Sequence, residues 1–188
     1  MIAETARFHR LPFLAFSAFL MALVLALPAL AKGTPEIEPF LGEFTGSASY
    51  VNGGEENKRD LSVEISQNKE GFTVQWTSIT YRPDGRVKEK SYEINFVPSD
   101  REMVYAAAQK KNVFGHAVQM DPMKGEPYVW ARIVNDTLTV YSLFVGEDGS
   151  YDLQEFDRTL ADGGLDLSFR SLRDGEIQRE IKAFLSRE

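Results

Sequence analysis

The chain of 188 residues contains no cysteine and only two histidines, His9 and His116. The first absence excludes a disulfide scaffold, a thiolate metal site and a cysteine nucleophile, and with them the lipid anchoring that needs a cysteine at the cleavage point. Scarce histidine argues against a transition-metal centre, which wants three or four His, Cys or carboxylate ligands. No Gly-x-Ser-x-Gly elbow surrounds a serine that His116 could activate. No catalytic residue, metal ligand or cofactor is therefore assigned. Positive charge is also short, with 21 Lys and Arg against 28 Asp and Glu and a net charge of −7. Such a chain repels phosphate, so a nucleic-acid partner is not expected. Glu147, Asp148 and Asp152 around Gly149 lack the spaced acids of an EF-hand loop and read as a hairpin turn.

Long apolar runs are absent except for one. Leu11 to Leu27 carry no charge, follow Arg7 and Arg10, and lead to Ala29-Leu30-Ala31, a small-x-small cleavage signal. Residues 1–31 read as a secretory signal peptide. The run between Pro12 and Pro28 is about 15 residues, short of the roughly 20 that span a bilayer, although an uncleaved anchor is the alternative. Phe8 and His9 separate the two arginines, so the twin-arginine signal is missing. Removing residues 1–31 takes away Glu4, Arg7 and Arg10 and leaves residues 32–188, a single domain of 157 residues at −8. In a Gram-negative cell the product is periplasmic, with no stable membrane insertion after cleavage.

The remaining chain alternates with period two, the period at which a strand buries one face and wets the other. Asp60 to Ser66 and Phe72 to Thr77 are the clearest cases, separated by Asn68-Lys69-Glu70-Gly71. Arg82-Pro83-Asp84-Gly85 supplies the chemistry of a tight reversal. Tyr92, Ile94 and Phe96 then share a face, and strands are expected at Met103 to Gln109, Val113 to Gln119, Tyr128 to Val134, Thr137 to Val145, Tyr151 to Thr159 and Leu165 to Ser171. Roughly eight to ten strands with short connections form an all-β protein, an antiparallel up-and-down barrel. Ile177, Ile181, Phe184 and Leu185 recur at helical spacing, and Ser171 and Asp174 are spaced as a capping box, so a terminal amphipathic helix is expected on the barrel wall.

Phe40-Leu41-Gly42-Glu43-Phe44-Thr45-Gly46 resembles the opening of lipocalin-like (calycin) barrels, whose first strand begins Gly-x-Trp and whose final strand often carries an arginine over that Trp. Gly42 takes the place of the glycine, Phe44 stands where the tryptophan is expected, and Arg170 or Arg158 is the covering arginine. The resemblance implies a small apolar ligand held inside the barrel.

Among residues that bear on binding, Trp76, Tyr105, Trp130 and Tyr141 lie on expected strands, the last three beside small residues. Large and small side chains together line a cavity or interdigitate in a solid core, and both uses stay open. Arg132 shares parity with Trp130 and Tyr128 and is the first candidate for a polar handle on a ligand carboxylate if that face points inward. Arg82, Arg86, Lys88 and Lys90 form a basic stripe with the parity of Tyr92, Ile94 and Phe96. Either the strand leaves the sheet before Ser91 or a bulge switches its faces, and the stripe serves to keep an exposed strand end soluble. The leading functional expectation is an exported periplasmic barrel binding a small apolar or amphipathic ligand through Trp76, Tyr105, Trp130, Arg132 and Tyr141. The alternative is a non-catalytic cell-envelope module with a protein partner. An enzyme is the third reading and requires acids or His116 to converge with Arg132 or Tyr105 in one pocket.

Overall fold

The computed structural model describes residues 35–188 apart from 53, 109, 112–116 and 119. The segment 1–31 read as a signal peptide and His116 lie outside the described residues. Among the described residues, alternation drives ten strands into a closed barrel: β1 (Gly42–Asn52), β2 (Glu55–Gln67), β3 (Phe72–Tyr81), β4 (Val87–Pro98), β5 (Val104–Ala107), β8 (Tyr128–Val134), β9 (Thr137–Val145), β10 (Tyr151–Ala161), β11 (Gly164–Arg173) and β12 (Glu176–Arg187). Between β5 and β8, β6 (Lys110–Lys111) and β7 (Ala117–Val118) form a separate ribbon. Each barrel strand pairs antiparallel with its neighbour, and β12 returns to β1. No helix among the described residues is long and apolar enough to cross a membrane.

The expected terminal helix is a strand. Asp174 and Gly175 both adopt positive φ, 50° and 86°, between the paired residues Arg173 and Glu176. This is the two-residue turn whose twist suits a hairpin, and it overrides the capping-box reading of Ser171 and Asp174. Past a register shift opposite Ser171 and Leu172, Ile181 and Leu185 point inward and are buried, while Phe184 on the other face is exposed. The exposed Phe184 and Ile177 created the helical spacing; pairing of β12 with both β11 and β1 fixes the strand.

β12 is gripped closely from both sides. A Cβ at Gly46 on β1 would run into the Phe184 carbonyl oxygen, and one at Gly164 on β11 into that of Leu185. Both positions therefore exclude a side chain.

The end of the barrel where β1 begins is filled. A 3-10 helix, Pro35–Phe40, buries Ile37 and Phe40 in a core with Phe44, Ile65, Phe72, Phe96, Leu165 and Leu185. Phe72 stacks on Phe96 at 5.1 Å and meets the Tyr105 ring edge-on at 5.0 Å. Arg187, the last residue of β12, lies with its guanidinium 4.6 Å from the Phe44 ring centre. It donates to the carbonyl oxygens of Leu41 and Pro39, the latter at 3.0 Å. The covering arginine of the calycin-like arrangement is thus Arg187, and neither Arg170 nor Arg158 occupies that place. Arg170 pairs with Glu155 at 2.8 Å instead.

Arg187→Ala removes a cation–π contact and leaves two carbonyls at the helix–strand junction without this donor. The expected cost is about 1–3 kcal/mol, read as a lower urea midpoint at unchanged slope.

Candidate functional site

The opposite end of the barrel is hollow. A cavity of about 760 Å³ opens beside the β3–β4 turn, where Arg82, Asp84 and Arg86 line it, within the range of small-molecule sites. Its walls follow from strand parity. On β3 and β4, register runs without interruption from Phe72 opposite Phe96 to Tyr81 opposite Val87. The strand therefore neither leaves the sheet nor bulges at Ser91. Lys88 and Lys90 share the inward face with Tyr92 and Ile94 and line the cavity. The reading of this stripe as a solubilising strand end is corrected accordingly: the cations face the mouth of the barrel.

Four aromatic rings make a continuous belt below the mouth. Trp76 stacks on Tyr92 at 5.1 Å and meets Phe156 at 5.6 Å, and Phe156 packs on Phe169 at 4.8 Å. Trp76 and Phe156 come from β3 and β10, which are not neighbours in the wall, so their contact crosses the interior.

Arg158 on β10 lies beneath these rings at the cavity floor, 1% exposed. Its guanidinium carbon sits 5.7 Å from the Trp76 ring centre and 5.9 Å from that of Phe156. One terminal nitrogen donates a long bond, 3.4 Å, to the Phe156 carbonyl oxygen, and Nε has no hydrogen-bond partner. The nearest acid in sequence, Asp157, has the opposite parity and accepts from Thr139 at 2.7 Å. Burial pulls the Arg158 guanidinium down to about 10, with the field of Asp157 opposing. It therefore stays charged at neutral pH, buried and with no carboxylate bonded to it among the described residues.

At the mouth, Arg59 donates to Thr80 at 3.1 Å and to the Tyr50 hydroxyl at 2.9 Å. Its guanidinium and that of Arg179 both lie against the Tyr50 ring, at 4.7 and 5.7 Å. Arg86 pairs with Asp84, whose carboxyl is held below its usual range by that arginine.

The five candidate residues separate. Trp76 lines the cavity. Tyr105 is buried in the filled end, where burial first and the neighbouring Glu36 second push its hydroxyl up to about 12. Trp130 and Arg132 alternate with the buried Ala131 and Ile133 and so lie on the outer face of the barrel, and Tyr141, opposite Trp130, shares that face although it is itself covered to 9% exposure. Trp130 stacks on Tyr141 at 4.7 Å, and the Arg132 guanidinium sits 5.6 Å from the same tyrosine ring. Arg132 therefore does not face the interior; Arg158 does. Arg158 was visible as a cation in an alternating strand, with Phe156 and Leu160 sharing its parity. Phe156, Phe169 and Arg179 were missed because nothing in the local sequence tells a cavity wall from a core.

Asp148 accepts from the Ser150 backbone N–H and hydroxyl at 3.1 and 2.6 Å, the bonding of a tight turn. Among the described residues no group of three or more His, Cys, Asp or Glu is placed to hold a metal.

The fold is a closed antiparallel barrel of ten strands among the described residues. No family model and no curated protein matches the chain. One solved structure found similar is the S-type phycobiliprotein lyase CPES from Guillardia theta, at 9% identity and a TM-score of 0.32, covering 81% of this chain and 90% of that one.

Two outcomes are expected. Arg158→Met removes an uncompensated buried charge while keeping an unbranched stem, so the ligand-free protein becomes more stable by about 1–4 kcal/mol in denaturant unfolding. For Tyr105 the folded state favours the neutral phenol, so its contribution is intact below pH 10.0 and is lost as pH rises to about 12. Tyr105→Phe flattens the fall in stability across that alkaline window, measured by unfolding at stepped pH.

Proposed function

We propose that this is an exported, periplasmic barrel that binds a small amphipathic molecule in its cavity. The observation that carries the reading is the cavity itself, walled by the Tyr92, Trp76, Phe156 and Phe169 belt and ringed by polar side chains at the mouth. An apolar wall with a few placed polar groups is the usual composition of a small-molecule site. Export rests on the signal-like segment 1–31 and is checked by fractionating cells that express the full chain.

Of the five residues expected from sequence, Trp76 is the one proposed to touch the ligand. The outer cluster of Trp130, Arg132 and Tyr141 supports the second reading, an envelope module with a protein partner, because stacked aromatics beside an arginine are typical of interface anchors. Crosslinking from this face in intact cells tests it, and failure to capture a reproducible partner removes it.

The chain has two tryptophans, so a Trp130→Phe variant reports Trp76 alone. Titration with the neutral apolar dye phenylnaphthylamine is expected to change Trp76 emission saturably at one dye per chain, and Phe156→Ala is expected to weaken the dye about tenfold through lost wall contact. An unsaturable or absent response contradicts the cavity reading.

A further inference from the structure

With the cavity read as a ligand site, its charge identifies the class of ligand. The whole chain is acidic, at −7, yet among the described residues seven cationic side chains line the cavity against one acid, Asp84. Strand alternation sorts the two signs. β4 turns Lys88 and Lys90 inward and Glu89 outward; β2 turns Arg59 inward and Asp60 outward; β12 turns Arg179 inward and Glu180 outward. Solubility alone is served by either sign on either face and does not require this segregation. Like charges gathered around a concave mouth with low-dielectric walls focus a positive potential into it.

The cations occupy two levels. Arg82, Lys88, Lys90 and Arg179 stand at the mouth, and Arg158 stands at the floor beneath the aromatic belt. Six residues lie between Arg158 and Tyr151 at the start of β10. The seven steps of about 3.3 Å at a tilt of about 40° put the end of that strand about 18 Å above the floor. A buried guanidinium with an unpartnered Nε is a standing cost that an acidic group removes. An amphiphile with one acid at the mouth leaves Arg158 uncompensated against an apolar tail. One with a single acid at the floor leaves its tail among the mouth cations.

We propose that the ligand is an elongated amphiphile with two acidic groups, one seated on Arg158 at the floor and the other held among Lys88, Lys90 and Arg179 at the mouth, with its apolar middle against Trp76, Phe156 and Phe169.

The test uses the full barrel as the Trp130→Phe variant and three probes of one chain length: hexadecanedioate, hexadecanoate and hexadecanol, read by Trp76 emission and by displacement of phenylnaphthylamine. The diacid is expected to bind at least about tenfold more tightly than the monoacid, and the monoacid more tightly than the alcohol. Added salt is expected to narrow the first gap. Arg158→Met is expected to weaken the diacid about tenfold, and Lys88→Gln with Lys90→Gln to bring the diacid down to the monoacid. Circular dichroism and melting confirm that each variant is folded. If hexadecanol binds as tightly as the diacid, or both sets of substitutions leave diacid affinity unchanged, the diacid proposal falls while the cavity reading stands. A monoacid equal to the diacid overturns the second acidic group. If none of the three binds and phenylnaphthylamine also fails, both readings fall.

Discussion

A closed barrel forces each inward side chain to find its partner inside, because the wall offers no route to water except at an open end. The filled end meets that constraint with rings and branched chains around Phe44, Phe72 and Phe96. Arg158 does not meet it. Its guanidinium is desolvated, donates one long bond to a carbonyl oxygen, leaves Nε without a partner among the described residues, and is held against two aromatic faces. Cation–π attraction offsets part of the desolvation, but a buried charge is balanced well only by an opposite charge with good geometry. The cavity above, its aromatic belt and its cationic mouth all make sense around that unfilled requirement.

The two ends of the molecule depend on each other. Arg187 on Phe44, with the 3-10 helix beneath, seals one end and fixes where β12 meets β1. That register in turn sets which residues of β12 face inward, and so brings Arg179 to the mouth. The close approaches at Gly46 and Gly164 hold β12 between its neighbours.

Much of the architecture was legible in the sequence, since alternation and turn chemistry are local. Phe72, Val74 and Trp76, or Tyr92, Ile94 and Phe96, announce an inward face whatever surrounds them. β12 was misread because two exposed apolar residues, Ile177 and Phe184, imitate a helical stripe, and only pairing with β1 and β11 decides the matter. The site was less legible. Parity correctly grouped Trp130 with Arg132 but has no sign that says which group faces in; closure of the barrel supplies it. The basic stripe of β4 suggests a solubilising strand end, because a run of lysines sharing parity with a core face looks like a contradiction until the barrel is known to be filled at one end and hollow at the other.

The proposed acidic amphiphile neutralises Arg158 inside the cavity. The most direct measurement is native mass spectrometry of the full chain purified without denaturation from its own cells, followed by solvent extraction and negative-ion analysis of what is released. The expected result is a one-to-one adduct on the polypeptide whose released component ionises as an acid, and no such adduct on the Arg158→Met protein. A bare polypeptide mass, or an adduct that is neutral and survives the substitution, contradicts it.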